Sequence, residues 1–507
     1  MKTKYSLFLL AFIILFCATI SAQQNNSTAN AQDLQILLPI DPNVTIGKLD
    51  NGITYYVRTN KKPEKRAELR LVVNAGSVLE DDDQNGLAHL CEHLAFNGTK
   101  NFNKQELVNY LESIGMRFGP ELNAYTSFDE TVYMLTVPTD KDSIVKTAFQ
   151  ILEDWAHNVS YDSVEIDKER GVVIEEWRLG RGAEARMSDK QFPILFTGSK
   201  YAERNVIGEK EILESFKHPT LKSFYKDWYR PDLMAVVAIG DFDKSEIENL
   251  IKTHFSKIPP RTKQKTREVF PVPNHKEPLF AIATDVEATR SGVSVYYKHE
   301  LRKEKTVGDY RRQIVEGLYD GMFNSRLEEL TRKSDPPFLY AYSGGGRFVR
   351  SKEIYVLSAG VKDNGIERGL ETLLTEAARV KKFGFTSTEL ERQKKELLRS
   401  MEQAYNERDK TESRNFTREY VSNFLVEEPI PGIEYEYKLY QQYLPGITLE
   451  EVNRLASERI SEENRVVMVN APEKKDVKVP TQEELSAIFK SVEKSNITAL
   501  ADIPLNY

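Results

Sequence analysis

Two histidines and a glutamate crowd into five residues at His89-Leu90-Cys91-Glu92-His93. The surrounding run, GLAHLCEHLAFNGT, has helical periodicity, so positions 89 and 93 share a face and Glu92 lies on its edge. Two imidazoles one turn apart can hold a Zn²⁺ ion at about 2.0–2.1 Å. A carboxylate beside them can take a proton from water activated by that ion. The chain has seven histidines, so two in one such motif are not what composition alone would produce. The plainer alternative is a helix with two incidental histidines. A third ligand separates the readings, because a hydrolytic zinc site takes three protein ligands and keeps one position open.

The segment DKERGVVIEEWR, residues 167–178, offers acids at Glu169, Glu175 and Glu176. On a helix, Glu169 and Glu176 lie about 20° apart, and Glu175 points about 100° away from Glu176. One face thus presents a ligand and a second acid that could orient one. Without the histidine pair, the same helix reads as a solvated acidic surface. Cys91 points to a different face from the histidines and reads as a small buried apolar residue.

These groups must be positioned by ordered elements on both sides. Strand patterns fall at 53–57, 69–73, 131–137 and 234–239, and helical patterns at 84–96, 104–114, 140–157 and 161–188. Asn103, with Glu106 three residues on, reads as a capped helix start. A Pro- and Lys/Arg-rich connector, IPPRTKQKTREVFPVPNHKEP, follows. Strands are expected again at 279–284, 291–298 and 466–469, and helices at 306–333, 364–382 and 387–426. YKDWYRPDLMAVVAIGDF (225–242) parallels ASERISEENRVVMVNAPE (456–473), which points to a diverged internal repeat. The expected division is a leader at 1–22, a polar stretch at 23–40, a first domain at 41–258, a linker at 259–278, a second domain at 279–472 and a charged tail at 473–507.

The leader reads MKTKYSLFLLAFIILFCATISA: Lys2 and Lys4, then an apolar run of fifteen residues from Ser6 to Ile20, as in a secretory signal cut near Ala22. Its removal leaves Cys91 alone of two cysteines and takes the net charge from −7 to −9 (68 Lys+Arg against 77 Asp+Glu). A disulfide framework is excluded, and no basic stripe speaks for nucleic acid. No stable membrane anchor is expected. Periplasmic or extracellular residence follows from the leader.

GLAHLCEHLAFNGTKNF, followed by ELNAYTSFDETVY and ERGVVIEEWR, resembles the pitrilysin/insulinase family of zinc metallopeptidases, whose signature is HxxEH. GSKYAERNVIGEKEIL (198–213) and FYKDWYRPDLMAVVAIGDFD (224–243) extend the likeness in the family's order over about residues 45–255. The resemblance implies an α+β fold of two homologous domains. Each would be an antiparallel sheet packed on one side by long helices, as in mitochondrial processing peptidase. It implies one Zn²⁺ per chain held by His89, His93 and Glu176. Glu92 would be the general base and Glu169 a second catalytic acid beside the ligands. The gap from His93 to Glu176 is longer than usual for the family. Strict spacing would favour Glu169, whereas the local pattern favours Glu176.

By the same resemblance, Asn123, Ala124, Tyr125 and Thr126 form an edge strand on which a peptide substrate adds as a further strand. The family's distal Arg and Tyr would fall on Arg332 and Tyr340, but their spacing is one residue too long and Pro336-Pro337 intervenes, so a surface arginine and a packed tyrosine are the favoured explanation. Residues 315–325, VEGLYDGMFNS, lack the motif, so the second domain is a non-catalytic repeat. Family members enclose their site between two halves, and this chain supplies one. The other half would be a second copy, an inactive paralogue, or the rest of a longer layout of which this chain is the front part. The expected function is a zinc endopeptidase acting on peptides or unfolded proteins. A non-catalytic scaffold and a zinc hydrolase of non-peptide substrates are the competing classes.

Overall fold

The computed structural model describes residues 33–117, 119, 121–261 and 264–502. The expected leader, 1–22, lies outside them. Two α+β units follow one another. In the first, strands β1 (Thr45–Lys48), β2 (Thr54–Thr59), β3 (Arg66–Val73), β4 (Leu122–Thr126), β5 (Thr131–Pro138) and β6 (Met234–Gly240) form a sheet in the order β1-β2-β6-β3-β5-β4. Its helices are α1 (Leu87–Leu94), α2 (Lys104–Ser113), α3 (Asp142–His157), α4 (Ser163–Leu179), α5 (Ala183–Leu195), α6 (Lys210–Ser215), α7 (His218–Trp228) and α8 (Lys244–Phe255).

The second unit has β7 (Leu279–Asp285), β8 (Ser291–Glu300), β9 (Tyr340–Val349), β10 (Lys352–Val361) and β11 (Arg465–Pro472), in the order β7-β11-β8-β10-β9. Its helices are α9 (Val307–Thr331), α10 (Ile366–Phe383), α11 (Ser387–Asn406), α12 (Ser413–Val426), α13 (Ile433–Tyr443), α14 (Leu449–Arg459) and α15 (Gln482–Lys494).

The expected antiparallel sheets each contain one parallel pair, β2 with β6 and β7 with β11. In both cases the chain returns to the sheet only after a long excursion through helices, which is what a parallel neighbour requires. The repeat keeps its order of elements but not a fixed spacing: β6 and β11 begin at Met234 and Arg465, and α7 and α14 at His218 and Leu449, both pairs 231 positions apart, whereas the registers against β6 and β11 set Val73 of β3 and Tyr297 of β8 224 apart.

Alternation along β3 shows how the first sheet is buried. Ala67, Leu69, Leu71 and Val73 join α3 and α1 in the main core, whereas Val72 faces the opposite way with Val237 and Ile239 of β6. That opposite face is covered by Phe416 and Tyr420 of α12, a helix of the second unit. Reciprocally, Gln191 of α5 donates to the carbonyls of Ala281 on β7 and Val469 on β11. The two units therefore exchange equivalent helices, and each sheet is covered on both faces.

The expected helices 161–188 and 387–426 were each too long. The first divides at Gly180–Gly182 into α4 and α5, the second at 407–412 into α11 and α12. Each break turns the chain towards the other unit's sheet. The expected tail at 473–507 also differs. Leu485, Phe489 and Val492 of α15 are buried in the second core, a narrow i, i+4, i+7 stripe hidden by the helix's charges. The second unit thus runs past 472, with α15 in the place that α8 holds in the first.

Candidate metal centre

Helix α1 is two turns long and carries the motif. Its last turn is tied to α3 by Trp155, whose Nε1 donates to the carbonyl of Ala95. Helix α4, capped by the Asp162 side chain, runs alongside and brings two acids to the histidines. The Nε2 atoms of His89 and His93 lie 3.2 Å apart. A carboxylate oxygen of Glu176 lies 3.9 Å from the first, and the other lies 3.4 Å from the second. Ligands about 2.0–2.1 Å from a tetrahedral ion are separated by about 3.3 Å, so these donors suit one zinc ion. Among the described residues, this trio is the one group of His, Cys, Asp or Glu drawn close enough to hold a metal.

Glu169 is placed differently. It lies 2.9 Å from Nδ1 of His93, the nitrogen facing away from His89, and Asn97 donates to its other oxygen. It therefore reaches the back of a ligand while Glu176 reaches the front.

The electrostatics match a cation site. Burial, together with the neighbouring His93, pushes His89 down to about 3, so its ring stays neutral with a lone pair to offer. Burial lowers His93 too, but its hydrogen bond to Glu169 and the charges of Glu92, Glu169 and Glu176 outweigh it and raise the net value. Glu169 is held below its ordinary range because its bonds to His93 and Asn97 overcome the cost of burial. Glu92 is raised, chiefly by burial, against a 2.7 Å hydrogen bond from the Thr126 hydroxyl.

An open cleft of about 540 Å³ lies over the trio, with Ala124, Tyr125 and Thr126 on one wall and Asn205, Val206 and Ile207 on the other. Strand β4 pairs only with β5. The bonds Ser127 N to Glu130 O and Thr136 N to Glu121 O set the register, which turns the main-chain groups of Ala124 and Thr126 to the open edge. Asn123 Oδ1 accepts from the Ala124 N–H, and the Tyr125 ring is 40% exposed.

Arg332 and Tyr340 are not among the residues lining this cleft. Arg332 caps the end of α9 and pairs with Glu328, and Tyr340 begins the edge strand β9. The sequence reading did not find Asn97 or the 205–207 wall. Asn97 sits four residues after His93, a helical spacing that could have pointed to it. The wall is brought in by tertiary packing and leaves no local signal.

Two family models match the chain: insulinase (peptidase family M16) over residues 55–182, and the peptidase M16 inactive domain over 215–397. A zinc protease PQQL-like protein of Arabidopsis thaliana is 40% identical over 409 residues, which are 80% of this chain and 40% of the relative. A probable zinc protease PqqL of Haemophilus influenzae is 29% identical over 93% of this chain and 50% of its own length. The chain thus spans about half or less of these curated relatives. The crystal structure of the first half of the periplasmic protease PqqL from Escherichia coli superposes with a TM-score of 0.85 at 26% identity, covering 92% of this chain and all of that one.

Proposed function

The chain belongs to the peptidase M16 (insulinase/pitrilysin) family, and from that premise we propose that it is the catalytic half of a zinc endopeptidase. The observation that carries the reading is the trio of His89, His93 and Glu176 facing one point, with Glu92 beside it and a free strand edge along the cleft.

When bound, zinc supplies Lewis acidity to a water molecule and to the scissile carbonyl. His89 and His93 hold it through Nε2 and Glu176 through its carboxylate. Glu169 fixes the ring of His93 through Nδ1 and so acts as a positioning residue rather than as a catalytic acid. Glu92 takes the proton from water and delivers it to the departing amine. The Thr126 hydroxyl holds Glu92 in place and links the base to the strand that binds substrate. The open main-chain groups of Ala124 and Thr126 pair with an extended peptide, so binding reads backbone more than side chains. A folded protein offers few such strands, hence peptides and unfolded segments are the expected substrates.

The partner half and the location belong to this proposal. The inactive-domain model matches residues 215–397, from the end of the first unit into the second, and the relatives are about twice as long, which supports a second half closing over the cleft. The leader expected at 1–22 and the periplasmic relative support residence outside the cytoplasm. No helix of the described residues is long and apolar enough to cross a membrane.

The test is hydrolysis of an unstructured peptide by purified protein, alone and with a homologous second half, before and after chelation. Cleavage lost on chelation and restored by zinc supports the reading. A protein that holds no stoichiometric zinc is a scaffold instead.

A further inference from the structure

The two histidines are not supported alike. His93 is oriented from behind by Glu169, but His89 Nδ1 is buried and has no hydrogen-bond partner among the described residues. Among the described residues no hydrogen bond orients the His89 ring from behind, so its orientation depends on the helix turn it stands on. That turn is the first of α1, where backbone N–H groups have no partner within the helix. Its N-cap is Gly86, which has no side chain to supply one, and an eight-residue helix has little stability of its own.

The missing partner comes from outside the helix. Glu80 is fully buried, and its two carboxylate oxygens accept from Gly86 N at 3.1 Å and Ala88 N at 2.7 Å. Ala88 immediately precedes His89. Glu80 is itself fixed: buried Arg204 donates from Nε to the Glu80 carbonyl at 3.2 Å and pairs with Asp82. Gly86 is at φ +101°, and Gly208 presses on it so closely that a Cβ on Gly208 would come within 2.3 Å of the Gly86 Cα. Burial pushes the Glu80 carboxyl up to about 8 against the pull of its two N–H donors and Arg204. A buried acid is a costly way to cap a helix, and here it fixes the turn that carries the histidine with no hydrogen bond from behind.

Resting on the zinc reading above, we propose that Glu80 is a positioning residue for the metal site: it clamps the first turn of α1 and thereby sets His89, as Glu169 sets His93. The acid behind His93 acts on the ring, and the acid behind His89 acts on the backbone.

The test compares wild type with Glu80→Gln, which keeps the size but replaces one acceptor oxygen by an NH₂ group that faces an N–H. Zinc affinity is measured by competition with a chromophoric chelator, alongside kcat, KM and apo-protein unfolding. The expected result is a zinc Kd raised about 10–100-fold, the range for outer-sphere supports, with kcat reduced and KM within about twofold. Glu80→Asp, which keeps the carboxyl but withdraws it, should fall between the two. A Glu80→Gln protein with wild-type zinc Kd and kcat overturns the proposal, even if its apo form melts earlier. If the wild type itself holds no zinc, the metallopeptidase reading fails. A loaded wild type with an equally loaded variant removes only the role of Glu80.

Discussion

The same scaffold occurs twice in this chain, once around a metal trio and once without it. Residues 315–325 of α9, VEGLYDGMFNS, carry no HxxEH motif. Asp320 is consumed by a salt bridge to Arg459. Phe323 is fully buried in the second core. Asn324 pairs with the edge strand itself, donating to Ser343 O at 2.9 Å and accepting from Ser343 N at 2.7 Å. In the first unit the link between α1 and the edge strand is made by side chains alone, the Thr126 hydroxyl donating to Glu92. Polar groups aimed into open space cost stability unless a ligand meets them. The second unit ties these polar side chains to partners of its own, whereas the first directs His89, His93 and Glu176 at one point.

Substitutions can break this contrast from either side. The largest effect is expected for His93→Ala, which should abolish zinc retention and reduce peptide cleavage to background, read by metal analysis and a quenched-fluorescence peptide. Phe323→Ala should cost about 3–5 kcal/mol in chemical denaturation and leave the zinc stoichiometry of the folded protein unchanged. If it released zinc, the two units would not be separable in function. Glu169→Gln should weaken zinc binding about 10–100-fold by freeing the His93 ring, measured by chelator competition. The smallest effect is expected for Thr126→Val, which removes a hydrogen bond to a charged group, worth about 1.5–3 kcal/mol. Its kcat should fall with zinc still bound.

How much of this could be read from the sequence follows the range of each interaction. The step from His89 to His93 and the step from Glu169 to Glu176 are helical periods, so shared faces were visible without a structure. Which of the two acids faces the ligating nitrogens was not, because that depends on how α4 lies against α1. Strands β2, β3, β5 to β8 and β11 carried local signals, as did helix starts such as the capping pair of Asn103 and Glu106, whereas β1, β9 and β10 were not among the expected strands. The exchange of α5 and α12 was hidden because a helical pattern continues through the short breaks that redirect the chain. Helix α15 was hidden because three buried apolar residues stood among charges. Glu80 and the wall of Asn205, Val206 and Ile207 act across more than one element and carry no periodicity at all.

The most direct test is Glu92→Gln, assayed for zinc content and peptide cleavage in the same preparation. Retention of about one zinc per chain with kcat/KM lowered by about 10²–10⁴-fold is expected if Glu92 moves the proton while the trio holds the metal. Cleavage at the wild-type rate, or loss of the metal together with activity, would contradict that division of roles.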